Sequence, residues 1–328
     1  LLFDGSISAT DAGRAFTALA EVLIEKMVDL VSHEFQQKHG KVPNSDICIL
    51  GMGKLGSGEL TASSDLDLIL LYEHDGTIEK SDGPKPLYVS EYFIRFTQRL
   101  VTAMSAPTAE GVLYELDFRL RPSGNAGPLA THIRSFIKYQ TNDAWTWEAL
   151  ALTRARPVAG DAEFCAVVAK EVATLNGRDR DDETVRADVL KMRDAIEAEK
   201  GTDNPWRIKA AKGGLIDIEF LAQWSVLARD SQMDADQQST RSMLETAPEN
   251  LLQEEDRLVL IEALLLYGKV QQLTRVCLAE KFVPDNAPPG LVKAICATLD
   301  VPDISMAEAQ LNETRSQVRA IFEKALSA

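Results

Sequence analysis

Asp65 and Asp67 stand one residue apart in the stretch ICILGMGKLGSGELTASSDLDLILLY, residues 47–72. Leu66, Leu68, Ile69, Leu70 and Leu71 surround them and predict a strand. Positions i and i+2 of a strand point to one face, so the two carboxylates sit side by side. In apolar company they repel each other and lose solvation unless a cation stands between them. Mg²⁺, a hard ion that takes oxygen ligands, suits such a pair. Just upstream, a glycine-rich turn can offer backbone N–H groups to a phosphate. Metal beside phosphate points to a nucleotide.

A third carboxylate strengthens the case. Residues 111–122, GVLYELDFRLRP, alternate roughly between apolar and polar and predict a second strand. Val112, Tyr114, Leu116, Phe118 and Leu120 take one face; Leu113, Glu115, Asp117, Arg119 and Arg121 take the other. Carboxylates converging from neighbouring strands form the donor set of a two-metal site for phosphoryl or nucleotidyl transfer. The competing reading, two solvated carboxylates at a strand edge, does not account for the apolar strand, the nearby Gly56-Ser57 turn or Asp117. Arg119 and Arg121 either neutralise phosphate charge or pair with acidic neighbours. Lys54 either reaches a phosphate or sits at the surface.

Two nucleotide motifs fail. Gly51-Met52-Gly53-Lys54-Leu55-Gly56 fits the dinucleotide pattern G-x-G-x-x-G, but that pattern requires a crossover helix. Only eight residues, Ser57 to Ser64, precede Asp65, too few for one. No G-x-x-x-x-G-K-[ST] loop is present.

The positioning elements are predicted as follows. An amphipathic helix covers residues 8–37, opened by Ser8 and Asp11 and closed by Gly40 and Pro43. A strand from Asp46 to Leu50 leads into the glycine turn. A helix over 89–104 carries Phe93, Phe96, Leu100 and Met104 on one side, and residues 123–127 form a turn. Beyond residue 132 helical patterns dominate, over 132–140, 143–155, 161–174, 183–199, 215–229, 254–282 and 305–326, the last with a Ser305/Glu308 capping box. VPDNAPPG, residues 283–290, breaks the pattern. The fold class expected is α+β, with a short mixed sheet flanked by helices over residues 1–158 and an all-α helical bundle over 159–328.

Composition narrows the function. The 328 residues suffice for two domains and are 45% hydrophobic. A net charge of −15 argues against a large nucleic-acid surface. Cys48, Cys165, Cys277 and Cys296 are scattered without metal spacing and fit a reducing cytoplasm. The run LVLIEALLLYG is too short to span a membrane. The start at Leu1 rather than Met suggests a fragment of a longer protein. His33, His39, His74 and His132 are scattered and receive no role.

Leu55-Gly56-Ser57, seven further residues and then Asp65-Leu66-Asp67-Leu68 resemble the signature of the nucleotidyltransferase superfamily that includes DNA polymerase beta. The longer string GMGKLGSGELTASSDLDLI resembles the glutamine synthetase adenylyltransferase family, whose members attach AMP to glutamine synthetase and remove it. The likeness continues through LYELDFRLRPSGNAGPL, NDAWTWEALALTRARPVAGD and KAAKGGLIDIEFLAQW, and so covers roughly residues 1–230. RLRPSGNAG followed by NDAWTWE resembles the C-terminal, adenylylating half; Ser57-Gly58 departs from the Gly-Gly or Gly-Trp common in the family.

The resemblance implies a polymerase-beta-like fold and AMP transfer from ATP to a tyrosine hydroxyl of glutamine synthetase. Asp65, Asp67 and Asp117 would be catalytic and would hold two Mg²⁺ ions. Gly56, Ser57, Lys54, Ser64, Arg119 and Arg121 would bind nucleotide, although Ser63 and Ser64 also suit the turn before the strand. PII signal protein and glutamine would be regulators. Phosphorolytic removal of AMP, a non-catalytic PII- or glutamine-sensing module and an RNA-directed nucleotidyltransferase are the other readings; net acidity and the lack of a basic aromatic stripe oppose the last. Lys209 or Lys212, with Asp217 and Glu219, either faces the cleft between domains or serves the helix that follows Gly213-Gly214. At least one of Trp145 and Trp147 is expected in the domain interface.

Overall fold

A computed structural model describes residues 6–109, 111–229, 237–278 and 281–327. The first helix, α1 (Ala9–His39), begins where the Ser8 side chain accepts from the Asp11 N–H and ends at Gly40, whose φ is 70°. β1 (Ser45–Gly51) runs into a single helical turn, α2 (Gly53–Gly56), and then the connector reaches β2 (Leu66–His74). β1 and β2 pair antiparallel, Gly51 opposite Leu68. The short connector therefore needs no crossover, in line with the rejection of a dinucleotide fold.

β2 alternates between two cores. Leu66, Leu68 and Leu70 pack with α1 and with α3 (Val89–Met104), whose Phe93, Phe96, Leu100 and Met104 are all buried as the spacing predicts. Ile69 and Leu71 face the opposite core. There they meet Phe136 of α4 (Ile133–Asn142) and Phe164 and Val168 of α6 (Ala162–Asn176). Burial on both faces explains why β2 reads as an almost continuous apolar run.

Three short strands complete the sheet. β3 (Leu116–Asp117) and β4 (Ala130–His132) both run parallel to β2, and β5 (Arg156–Gly160) runs antiparallel to β1. The long strand expected over 111–122 is therefore corrected to two residues. Val112 and Leu113, assigned to opposite faces, are both exposed, so the alternation did not report a half-buried strand. β5 carried no strand signal. It is an edge strand with Pro157 inside it and a register shift opposite Ile49/Leu50, a setting in which proline is tolerated.

α5 (Thr146–Leu152) links to β5, and its Leu150 joins a third, helical core. That core is built from α7 (Asp182–Lys200), α8 (Leu215–Leu227), α9 (Thr240–Glu245), α10 (Glu254–Cys277), α11 (Pro289–Leu299) and α12 (Ile304–Leu326). Residue 158 lies within β5, and α6 packs on the sheet. Helices α9 and α11 lie outside the predicted helical ranges. Part of the helix expected over 254–282 falls on 279–280, outside the described residues, and α10 ends at Cys277. α12 is capped by Asp303, which accepts from the Met306 N–H, rather than by Ser305. Glu308 instead accepts from the Trp206 indole at 2.7 Å. Neither tryptophan of the predicted interface is buried: Trp145 is 72% and Trp147 43% exposed. Among the described residues no helix is long and apolar enough to cross a membrane.

Candidate active site

Parallel pairing of β2 with β3 sets Asp67 directly beside Asp117. Asp65 precedes β2 by one residue and shares the side of Asp67. The three predicted carboxylates thus converge at one sheet edge. Asp67 is half-buried, and its carboxyl is pushed up to about 6 by burial first, then by Asp117 and Asp65. Asp117 lies below the usual carboxylate range, chiefly through hydrogen bonds from the Arg119 side chain. Asp65, Glu115, Asp117, Arg119, Arg121 and Asn125 all line one open cleft of 620 Å³.

The two arginines differ. Arg119 is exposed and grips both oxygens of Asp117. Arg121 is buried and donates to the carbonyls of Phe118 at 2.7 Å and Gly127 at 3.1 Å. Its guanidinium therefore fastens the turn after β3, although it borders the cleft.

The nucleotide-binding candidates on the glycine turn face a second cavity, of 690 Å³, between the turn and the helical core. Lys54, Gly56, Ser57, Glu59, Glu219 and Gln271 are among its walls. The Lys54 ammonium donates to Gln271 at 2.5 Å, and burial lowers its pKa to about 8 against the opposing pull of Glu219. The Gly56 N–H bonds to the Met52 carbonyl and the Ser57 N–H to that of Gly53. These amides are spent within the turn, which departs from their expected use on phosphate. Gly56 has a packing reason instead: a Cβ there would overlap the carbonyls of Arg154 and Gly51. Ser64 shapes the connector, its hydroxyl accepting from the Thr61 N–H at 2.9 Å.

Three contributors were not legible in the sequence. Gly53, at φ +52°, brings backbone against Asp67, and a Cβ there would overlap the Asp67 carboxylate. Arg154 is buried and donates to Ser57 Oγ at 2.8 Å and Glu59 at 2.9 Å, with Glu219 at 3.2 Å. Glu59 in turn accepts from the Thr240 N–H at 3.1 Å and its hydroxyl at 3.0 Å. This knot joins the glycine turn to α8 and α9. The second glycine of G-x-G was the available signal for Gly53; nothing local distinguishes Arg154 from a surface arginine.

The segment around Gly213-Gly214 divides. Asp217 is fully buried, pairing with Arg193 and accepting from the Gly213 N–H at 2.9 Å, so it is an internal support. Lys212 pairs with Glu197 at the surface. Glu219 and Lys209 face the site: the Lys209 charge acts on both Asp67 and Lys54.

The donor set suits a hard divalent cation, because Asp67 carries the repulsion that such an ion would relieve. Among the described residues, no three side chains of ligand type are already gathered around one point. Asp117 is turned to Arg119 instead.

The chain is similar to known proteins along its whole length. The family model for glutamate-ammonia ligase adenylyltransferase matches residues 3–171. A bifunctional glutamine synthetase adenylyltransferase/adenylyl-removing enzyme of Mesorhizobium japonicum is 48% identical over 327 residues, covering 100% of this chain and 33% of the relative. Proteins of the same description from Brucella suis and Rhizobium meliloti are 46% and 44% identical, covering 98% and 100% of this chain and 33% and 34% of the relatives. The chain therefore spans about a third of the length of these curated relatives.

Proposed function

The chain belongs to the glutamate-ammonia ligase adenylyltransferase family, and from that premise we propose that it transfers AMP from ATP to a tyrosine hydroxyl of glutamine synthetase, releasing pyrophosphate. The observation that carries this reading is Asp67 facing Asp117 in register, with Asp65 alongside and the Asp67 carboxyl raised to about 6. Asp65, Asp67 and Asp117 would hold Mg²⁺, which when bound supplies positive charge to the triphosphate and the reacting oxygens. Lys54 and Lys209 add positive charge from the side of the glycine turn and the helical core. A tyrosine hydroxyl ordinarily titrates near 10, so its proton must be drawn off as it attacks the α-phosphorus; Asp117 is the carboxylate proposed to assist. PII signal protein and glutamine are proposed regulators.

The test is transfer of label from α-labelled ATP to unmodified glutamine synthetase. Asp65→Asn and Asp117→Asn are expected to abolish labelling while near-UV circular dichroism is unchanged. Full labelling by both variants would refute the site. Release of AMP from modified glutamine synthetase with phosphate, and no labelling with ATP, would assign the reverse reaction instead.

Gly53→Ala offers an independent check. Its methyl must displace the Asp67 carboxylate, and misplacing a reacting group by about 1 Å costs roughly 10²-fold. Labelling is expected to fall by about that factor, with a small loss of thermal stability from the positive φ. Unchanged labelling would mean that Asp67 need not sit where the backbone holds it.

A further inference from the structure

We propose that Arg119 holds the cation position at Asp117 in the nucleotide-free chain, and that Asp117 becomes a metal ligand only when a polyphosphate draws Arg119 away. This inference rests on the reading of Asp65, Asp67 and Asp117 as the metal-holding set. The Arg119 backbone N–H donates to Asp117 Oδ1 at 2.8 Å, and Nε reaches Oδ1 at 3.0 Å and Oδ2 at 2.8 Å. Nη2 adds a further bond to Oδ2. A carboxylate offers about four lone-pair directions, so these donors leave little capacity for an ion. That is why the three carboxylates converge without gathering.

The grip is built to be released. The Arg119 side chain is 73% exposed while that of Asp117 is 15% exposed, so solvent can take the guanidinium while the carboxylate stays in place. Arg121, buried and tied to two carbonyls, lacks that freedom. A guanidinium fork matches phosphate as well as carboxylate, and Arg119 opens onto the same cleft as Asp65 and Asp117. Exchange of Asp117 for phosphate keeps its hydrogen bonds and frees the carboxylate. The arrangement couples completion of the metal site to the arrival of nucleotide.

Mn²⁺ binding to the 328-residue chain, followed by loss of the free-ion paramagnetic resonance signal, tests this without turnover. Arg119→Gln and Arg119→Lys should each tighten Mn²⁺ binding about two- to fivefold, the range of a modest ion pair. Addition of a non-hydrolysable ATP analogue should erase the difference from wild type. Lysine keeps the charge but loses the fork, so tightening in Arg119→Gln alone would reduce the effect to net charge and overturn the proposal. No tightening in either variant, with Asp117→Asn still weakening Mn²⁺ in the presence of the analogue, would overturn it and leave the metal-site reading standing. Unchanged Mn²⁺ binding in both Asp67→Asn and Asp117→Asn would instead remove the reading beneath it.

Discussion

Asp67→Asn is expected to stabilise the metal-free chain and to silence it. The Asp67 carboxyl rises from the usual 3.8 to about 6 because burial, Asp117 and Asp65 all oppose its charge. A carboxyl raised on folding favours the native state below its unfolded pKa, and that contribution is lost as pH climbs through the native value. Above about pH 6 the folded chain therefore carries a charge that the unfolded chain holds more comfortably. The rise corresponds to at most ~3 kcal/mol, less after screening of a half-buried group. Asparagine removes the charge and keeps the shape. In chelator at pH 7.5 the variant should melt a few degrees higher, with the gain vanishing near pH 4. Mg²⁺ with an ATP analogue should then stabilise wild type and leave the variant unmoved. AMP transfer should fall by about 10³-fold, as when one preorganised electrostatic contact is removed. A lower melting point in chelator would sink the claim that these carboxylates wait for a cation.

That prediction draws on the part of the site that was readable in advance. Asp65 and Asp67 stood out because period-2 burial makes a charged residue in an apolar strand anomalous, and β2 is such a strand. α1 was readable from its Ser8 cap and α3 from its apolar stripe, both local properties of the chain. Asp117 was found for a partly mistaken reason: the long strand around it is two residues, yet the pairing that matters is at those residues. β5 was hidden by Pro157 and by its dependence on β1 for every ladder bond. Gly56 was assigned to phosphate because a glycine needed for backbone approach looks identical in sequence to one that cradles a ligand. The Arg154 knot was invisible for a deeper reason. Its partners lie 97, 95 and 65 positions away, and no local pattern records such a pairing.

The second large effect is expected at that knot. Arg154 fills the space between Ser57, Glu59 and Glu219, and Glu59 carries the link on to Thr240. Arg154→Ala leaves two carboxylates without their shared cation, which for a buried pair costs about 3–5 kcal/mol, so the chain should lose much of its stability. Glu219→Gln is the sharper instrument, because it keeps volume and removes one charge. Glu219 raises the Lys54 pKa against burial, which holds it at about 8. Without Glu219 the ammonium should lose its proton at lower pH. The Michaelis constant for ATP should therefore climb above about pH 8 in wild type and begin climbing at a lower pH in Glu219→Gln. Lys54→Met should abolish that pH dependence in both backgrounds, whereas a purely structural role for Glu219 would shift melting temperature and leave the pH profile where it was. The glycine turn and the helical core would then act as one electrostatic unit, with the charge on Lys54 set from across the cavity by a residue of α8 rather than by its own turn.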